Sequence, residues 1–244
     1  MESRNPVFSD NLTGSIPTAI GVPMTIQGAL TKLLILCSIM AVSGFVVWQQ
    51  FALGYLDKVN ILMMTGLIVG LIVGFVIIFK QNLAPVLSPV YAFAEGALLG
   101  GMSAFFETKF PGIVMQAVAL TFMAIFSMAI LYKAGIIKAT EKFRSTLIIA
   151  TFSIFILYMV GFIASFFGVM VPAFYSATPI GIAFSVIVTI VASLNLIIDF
   201  DFIEQGAARL LPQSYEWYGA FGLLITIVWV YIEMLRLLSK LRER

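Results

Sequence analysis

Asn60-Ile-Leu-Met-Met-Thr-Gly-Leu-Ile-Val-Gly-Leu-Ile-Val-Gly-Phe-Val-Ile-Ile-Phe79 carries no charge and is closed by Lys80. About twenty apolar residues in a row are enough for an α-helix to cross the hydrocarbon of a bilayer. The apolar positions do not alternate with polar ones, so the stretch does not read as a strand. Working outward, similar runs recur at about 33–51, 89–106, 112–132, 146–167, from 179, and at 218–238. The expected fold is an all-α integral membrane protein with seven transmembrane helices.

Composition agrees. Of 244 residues, 61% are hydrophobic and 11% charged, against roughly 45–50% and 25% in soluble domains. A single cysteine, Cys37, and no histidine exclude an intramolecular disulfide, a Cys/His zinc site and a Ser-His-Asp hydrolase. No nucleophile motif points to an enzyme, no cofactor is implied, and a net charge of +2 gives no basis for nucleic-acid binding. Cys37 and the 12 methionines read as packing residues. Residues 1–30, with Gly14, Pro17, Gly21 and Pro23, read as a polar mobile tail, and 31–244 as one seven-helix domain. The first span then serves as an uncleaved insertion signal.

Orientation follows from lysine and arginine. A cytoplasmic N-terminus places Arg4, Lys32, Lys80, Lys133, Lys138, Lys142, Arg144 and Arg209 inside, with Lys58 and Lys109 outside. Seven spans also send Arg236, Lys240, Arg242 and Arg244 outside, against the rule. The alternative is one re-entrant run with both termini inside. The basic loop 133–144 reads as a topology signal and a contact for anionic lipid.

Gly66, Gly70 and Gly74, and then Gly96 and Gly100, are spaced by four and line helix faces that admit a second backbone. Ionisable residues at membrane depth are functional candidates. Glu95 lies about six residues into the third run, roughly 9 Å deep, and either snorkels or faces a cavity as a proton or cation site. In Leu196-Ile-Ile-Asp199-Phe-Asp201-Phe-Ile-Glu204, Asp199 shares a helix face with Asn195. Asp201 and Glu204 share another and read as an acidic collar turned toward water or basic side chains. Thr226, Glu233 and Lys240 recur every seven residues, and Arg236 is one turn beyond Glu233, in reach of an ion pair.

Residues 199 and 233 have their midpoint at 216. A hairpin turn near 212–216 would bring Asp199 and Glu233 to equal depth; a helix ending at Gly206 would leave Asp199 at the interface and unpaired. Two carboxylates in contact cannot both ionise cheaply. Such a pair shares a proton at low pH, loses it at higher pH, repels itself and admits a cation. Oxygen donors alone make Asp199 and Glu233 transient ligands for a hard ion such as Ca²⁺.

The stretches Asn195–Glu204, Glu216-Trp-Tyr-Gly-Ala-Phe-Gly222 and Trp229-Val-Tyr-Ile-Glu233-Met-Leu-Arg-Leu-Leu238 resemble the bacterial branch of the Bax-inhibitor-like (transmembrane Bax inhibitor motif) family. Asn5-Pro-Val-Phe8, Met24-Thr-Ile-Gln-Gly28, Tyr91-Ala-Phe-Ala-Glu-Gly96, Tyr132-Lys133 and Ile137-Lys-Ala-Thr-Glu-Lys-Phe-Arg144 agree. The resemblance implies a last helix at the centre of the other six. It also implies a pH-sensitive calcium leak, gated by paired acids on helices six and seven, in a bacterial inner membrane. Asp199 matches the family's acid in helix six. Glu233 stands where the family pattern has Asp. Some members carry an arginine in the second helix, which has no counterpart before Lys80; Arg236 is the nearest substitute. The partners implied are the lipid bilayer, Ca²⁺ and protons. Two alternatives stand beside the leak. One is a regulatory protein that binds another membrane protein, such as a protease. The other is proton-coupled transport through Glu95 and Asp199.

Overall fold

Capping residues set where several spans begin. Thr25 takes the Gly28 N–H at the start of α1 (Ile26–Ala52). Thr140 takes the Phe143 N–H before α5 (Glu141–Phe166), and Thr178 takes the Gly181 N–H before α6 (Pro179–Ala208). Each satisfies an amide that the first helical turn leaves free. Between these lie α2 (Leu56–Phe79), α3 (Ala84–Lys109) and α4 (Ile113–Lys133); α7 (Ser214–Arg242) follows α6. The computed structural model describes residues 22–168 and 176–244, and all seven helices are long and apolar enough to cross a membrane.

The last helix is central. It packs on α1, α3, α4 and α6, receives Tyr158 of α5 at Glu233, and brings Phe221 close to Gly74 of α2. Ala220, Phe221, Leu223 and Leu224 are all buried, covering more than one side of the helix. A helix apolar on every side belongs inside a bundle.

The glycines act as close-packing positions within the chain. A Cβ on Gly100 would stand 2.3 Å from Gly44 O, and one on Gly96 would stand 2.3 Å from Met40 O. A Cβ on Gly66 would stand 2.5 Å from Ala94 O. The backbone of α3 is therefore in contact with α1 on one side and α2 on the other.

Two sequence expectations move. The third helix starts at Ala84 and carries Pro89 inside it, because Pro85 already supplies the first-turn proline. Residues 22–30 are not a free tail. Met24 N donates to Leu211 O and Gln213 N to Val22 O, and α1 is already helical at Ile26. The remainder of the expected tail, 1–21, lies outside the described residues, as does 169–175 of the connector before α6.

Helix alternation puts the starts of α1, α5 and α7 and the ends of α4 and α6 on one face. The opposite face joins Lys109 to Glu243, and Arg242 to Pro111 O and Gln116. No described span is re-entrant, so Val22 and Arg244 stand on opposite faces.

Candidate functional site

The α6–α7 hairpin positions the acidic residues, and its register decides which of them meet. A Cβ on Gly222 would stand 3.8 Å from Asp199 Oδ1, and Lys240 Nζ donates to Gly181 O at 3.1 Å. The pairs 199 with 222 and 181 with 240 share the midpoint 210.5, inside the turn that follows Ala208. Equal depth for Asp199 and Glu233 requires 216. The turn comes earlier because α6 ends at Ala208, Leu210 adopts a left-handed φ of 53°, and Pro212 follows. Asp199 therefore lies beside Thr226. Glu233 is two turns beyond Thr226 along α7, a rise of about 10 Å at 1.5 Å per residue. The expected shared-proton pair is corrected to two separate acids: Asp199 on α6, beside Thr226, and Glu233 on α7, seven residues past Thr226.

Each acid has its own surroundings. Glu233 is 1% exposed. Its Oε1 accepts from Tyr158 OH at 3.0 Å and Arg236 Nη1 at 2.9 Å. The same guanidinium bonds Tyr158 OH and lies 4.8 Å from the Tyr158 ring centroid. The local ion pair read from the spacing is thus present. Asp199 has no ion pair among the described residues; its Oδ2 is buried without a hydrogen-bond partner, as is Glu233 Oε2. Asn195, expected beside Asp199, turns to α5 and donates to Thr151 Oγ1 at 3.0 Å.

The collar is a tie between helices. Asp201 is buried, paired with Arg144 at the start of α5, and accepts from Tyr132 OH and Gln205. Glu204 is exposed and accepts from Tyr132 OH at 2.5 Å. Glu95 stands apart from both acids, against Gly70 of α2. Because α3 starts at Ala84, Glu95 is eleven residues in, roughly 16 Å along the helix and near its middle. Among the described residues no three Asp, Glu, Cys or His side chains gather to hold a metal.

Two buried charges were not singled out as site residues. Glu216 accepts from Thr25 N at 2.9 Å, Thr25 Oγ1 at 3.0 Å and Lys32 Nζ at 2.5 Å. Its place in the first turn of α7, just after Gln213-Ser214, gives no local sign of partners on α1. Lys240, 2% exposed, donates to Gly181 O and Ser185 Oγ; the seven-residue spacing with Glu233 marked its face but not its partners.

A family model described as Bax inhibitor 1 like matches residues 5–243. No curated protein matches the sequence.

Proposed function

Because the chain belongs to the Bax inhibitor 1 like family, we propose that it is a pH-responsive passive leak for Ca²⁺, with the N-terminus cytoplasmic in a bacterial inner membrane. The observation that carries this reading is Asp199, whose Oδ2 is buried on the α6–α7 seam without a partner. An ionised carboxylate at membrane depth is costly unless a cation, a proton or water reaches it. Its charge state and the hydration of the seam are therefore linked. Protonated, Asp199 leaves the seam apolar; ionised, it draws water and a divalent cation. Glu233 is the second acid on the route, held by Arg236 until an incoming cation competes for it.

The test is Ca²⁺ flux into vesicles reconstituted with the full chain, measured across pH. Flux is expected to rise with pH, and Asp199→Asn to flatten the profile. A variant whose pH profile matches the parent would remove Asp199 from the gate. Absence of flux in the parent, with a membrane protein co-purifying, would favour the regulatory reading.

A further inference from the structure

The seam between α1 and α4 is open. These two helices are not among the packed pairs, and a cavity lies at each level of the gap. One, of about 800 Å³, is lined by Ile26 and Leu30 of α1, Ala129 and Tyr132 of α4, and Phe200 of α6. The other, of about 700 Å³, continues along Leu34, Ala41 and Phe45 of α1 and Val118, Phe122 and Ile125 of α4. The lining positions step by three or four along each helix, so the two cavities follow one another along the same faces of α1 and α4, the α1–α4 cleft. From Ile26 to Trp48, its α1 wall runs 22 residues, about 33 Å at 1.5 Å per residue. That matches a hydrocarbon core of about 30 Å.

The cleft has one polar end. Lys133, Lys138, Tyr132, Asp201 and Glu204 line the first cavity, at the level where α4 ends. Lys133 and Lys138 make no ion pair among the described residues. Asp201 is already engaged by Arg144 and Gln205. Glu204 is exposed and carries one recorded bond, from Tyr132. Beyond this end the walls are apolar, and the rim residues Leu34, Phe45 and Phe122 are exposed. In a bilayer such a gap fills with acyl chain, because an empty apolar gap forfeits its dispersion contacts.

We propose that the α1–α4 cleft is a binding site for a phospholipid with a phosphoethanolamine headgroup. Lys133 and Lys138 hold the phosphate, and Glu204 accepts from the ammonium. The acyl chain runs from Ile26 and Leu30 toward Cys37, about half the core thickness, or roughly 15 Å. Charge complementarity selects this occupant. Two cations fit a phosphate, while the neighbouring carboxylate repels a purely anionic headgroup and matches an ammonium that can donate hydrogen bonds. A choline headgroup carries the same charge but has no N–H to give.

The full-length chain, stripped of lipid in detergent, is titrated with phosphatidylethanolamine, phosphatidylglycerol and phosphatidylcholine of identical acyl chains, and bound lipid is counted by native mass spectrometry. Phosphatidylethanolamine is expected to bind about tenfold tighter than phosphatidylcholine, and Lys133→Ala with Lys138→Ala to lose about that factor. Glu204→Gln is expected to narrow the ethanolamine-to-choline gap, while Lys142→Ala, outside the cleft, changes nothing. Leu30→Trp, filling the apolar part of the acyl-chain path, should weaken all three lipids together. Equal binding of the three headgroups would overturn the proposal, as would a preference for phosphatidylglycerol or indifference to the paired lysine substitutions.

Discussion

Glu216 on the last helix accepts from Lys32 on the first at 2.5 Å, with its side chain 2% exposed. It also takes the backbone N–H and hydroxyl of Thr25. A Cβ at Gly28 would fall 2.0 Å from Glu216 Oε1 and push the carboxylate off these donors. This bond fastens the entry of α1 to the α6–α7 turn. Glu216→Ala frees Lys32 and two Thr25 donors, and is expected to cost about 3 kcal/mol. Glu216→Gln, which keeps an acceptor for Thr25, costs less. Thermal unfolding in detergent reads both, and an unchanged midpoint in Glu216→Ala would contradict the role given to this contact.

Asp199 and Glu233 act as separate sites if their carboxylates stand about two turns apart. The stability changes of Asp199→Asn and Glu233→Gln should then add in the double variant to within about 0.5 kcal/mol, as for residues beyond contact range. Coupling well above that would restore a shared-proton pair. The double-mutant cycle is run on equilibrium unfolding at one pH.

Arg236 neutralises a carboxylate that is 1% exposed. Arg236→Met leaves Glu233 buried and unpaired, and is expected to cost roughly 3–5 kcal/mol. Adding Glu233→Gln to Arg236→Met removes the stranded charge and should recover part of that loss. A double variant no more stable than Arg236→Met alone would speak against the ion pair as the cause.

Gly100 and Gly54 separate contact from conformation. A Cβ at Gly100 meets the Gly44 backbone at 2.3 Å, and backbone cannot swing away. Gly100→Ala should force α1 from α3 and cost about 3 kcal/mol or more, the upper end for overpacking. Gly54 has a φ of 81° and nothing within 4 Å, so Gly54→Ala pays only the left-handed penalty of about 1–2 kcal/mol. Unfolding by a denaturing detergent ranks the two, and equal losses would deny the α1–α3 crossing its close contact.

The proposed orientation is tested by labelling. With Cys37→Ser as background, Arg244→Cys should react with a membrane-impermeant maleimide in intact cells, while Lys138→Cys should react only after lysis. The reverse pattern would invert the topology. Labelling at both positions, or at neither, would argue against spans that set these residues on opposite faces.

The helices were legible because each is a long uncharged run, and a bilayer leaves such a run little alternative to helix. The glycine spacing was legible as packing for the same reason. Register across the α6–α7 hairpin was not. It turns on whether the bend centres near 211 or 216, and Gly206, Pro212 and Ser214 each offered a stop. Periodicity places Asp199 on a face but is blind to depth relative to a neighbouring helix. Glu233 with Arg236 was readable because both sit on one helix. The partners of Glu216 and Lys240, and the Arg144 and Tyr132 partners of Asp201, lie 55 or more residues away in sequence and no local pattern announces them. The depth of Glu95 is hidden in the sequence because Pro89 reads as the start of a helix that begins at Ala84.

Helix α5 is fastened differently from the rest. It packs against α6, and buries only Leu147, Ile154 and Gly161. Beside the edge-on contact of the Tyr158 ring with Phe184 of α6, polar attachments fall at three depths: Arg144 to Asp201, Thr151 to Asn195, and Tyr158 to Glu233. Lipid tails solvate an apolar helix surface as well as protein side chains do, so greasy contact alone gives α5 little reason to stay. Its grip on the bundle is a row of studs, two of which are carboxylates. Neutralising those two carboxylates would leave the Asn195–Thr151 bond, the contacts of Tyr158 with Arg236 and Phe184, and a narrow apolar strip to hold twenty-six residues in place.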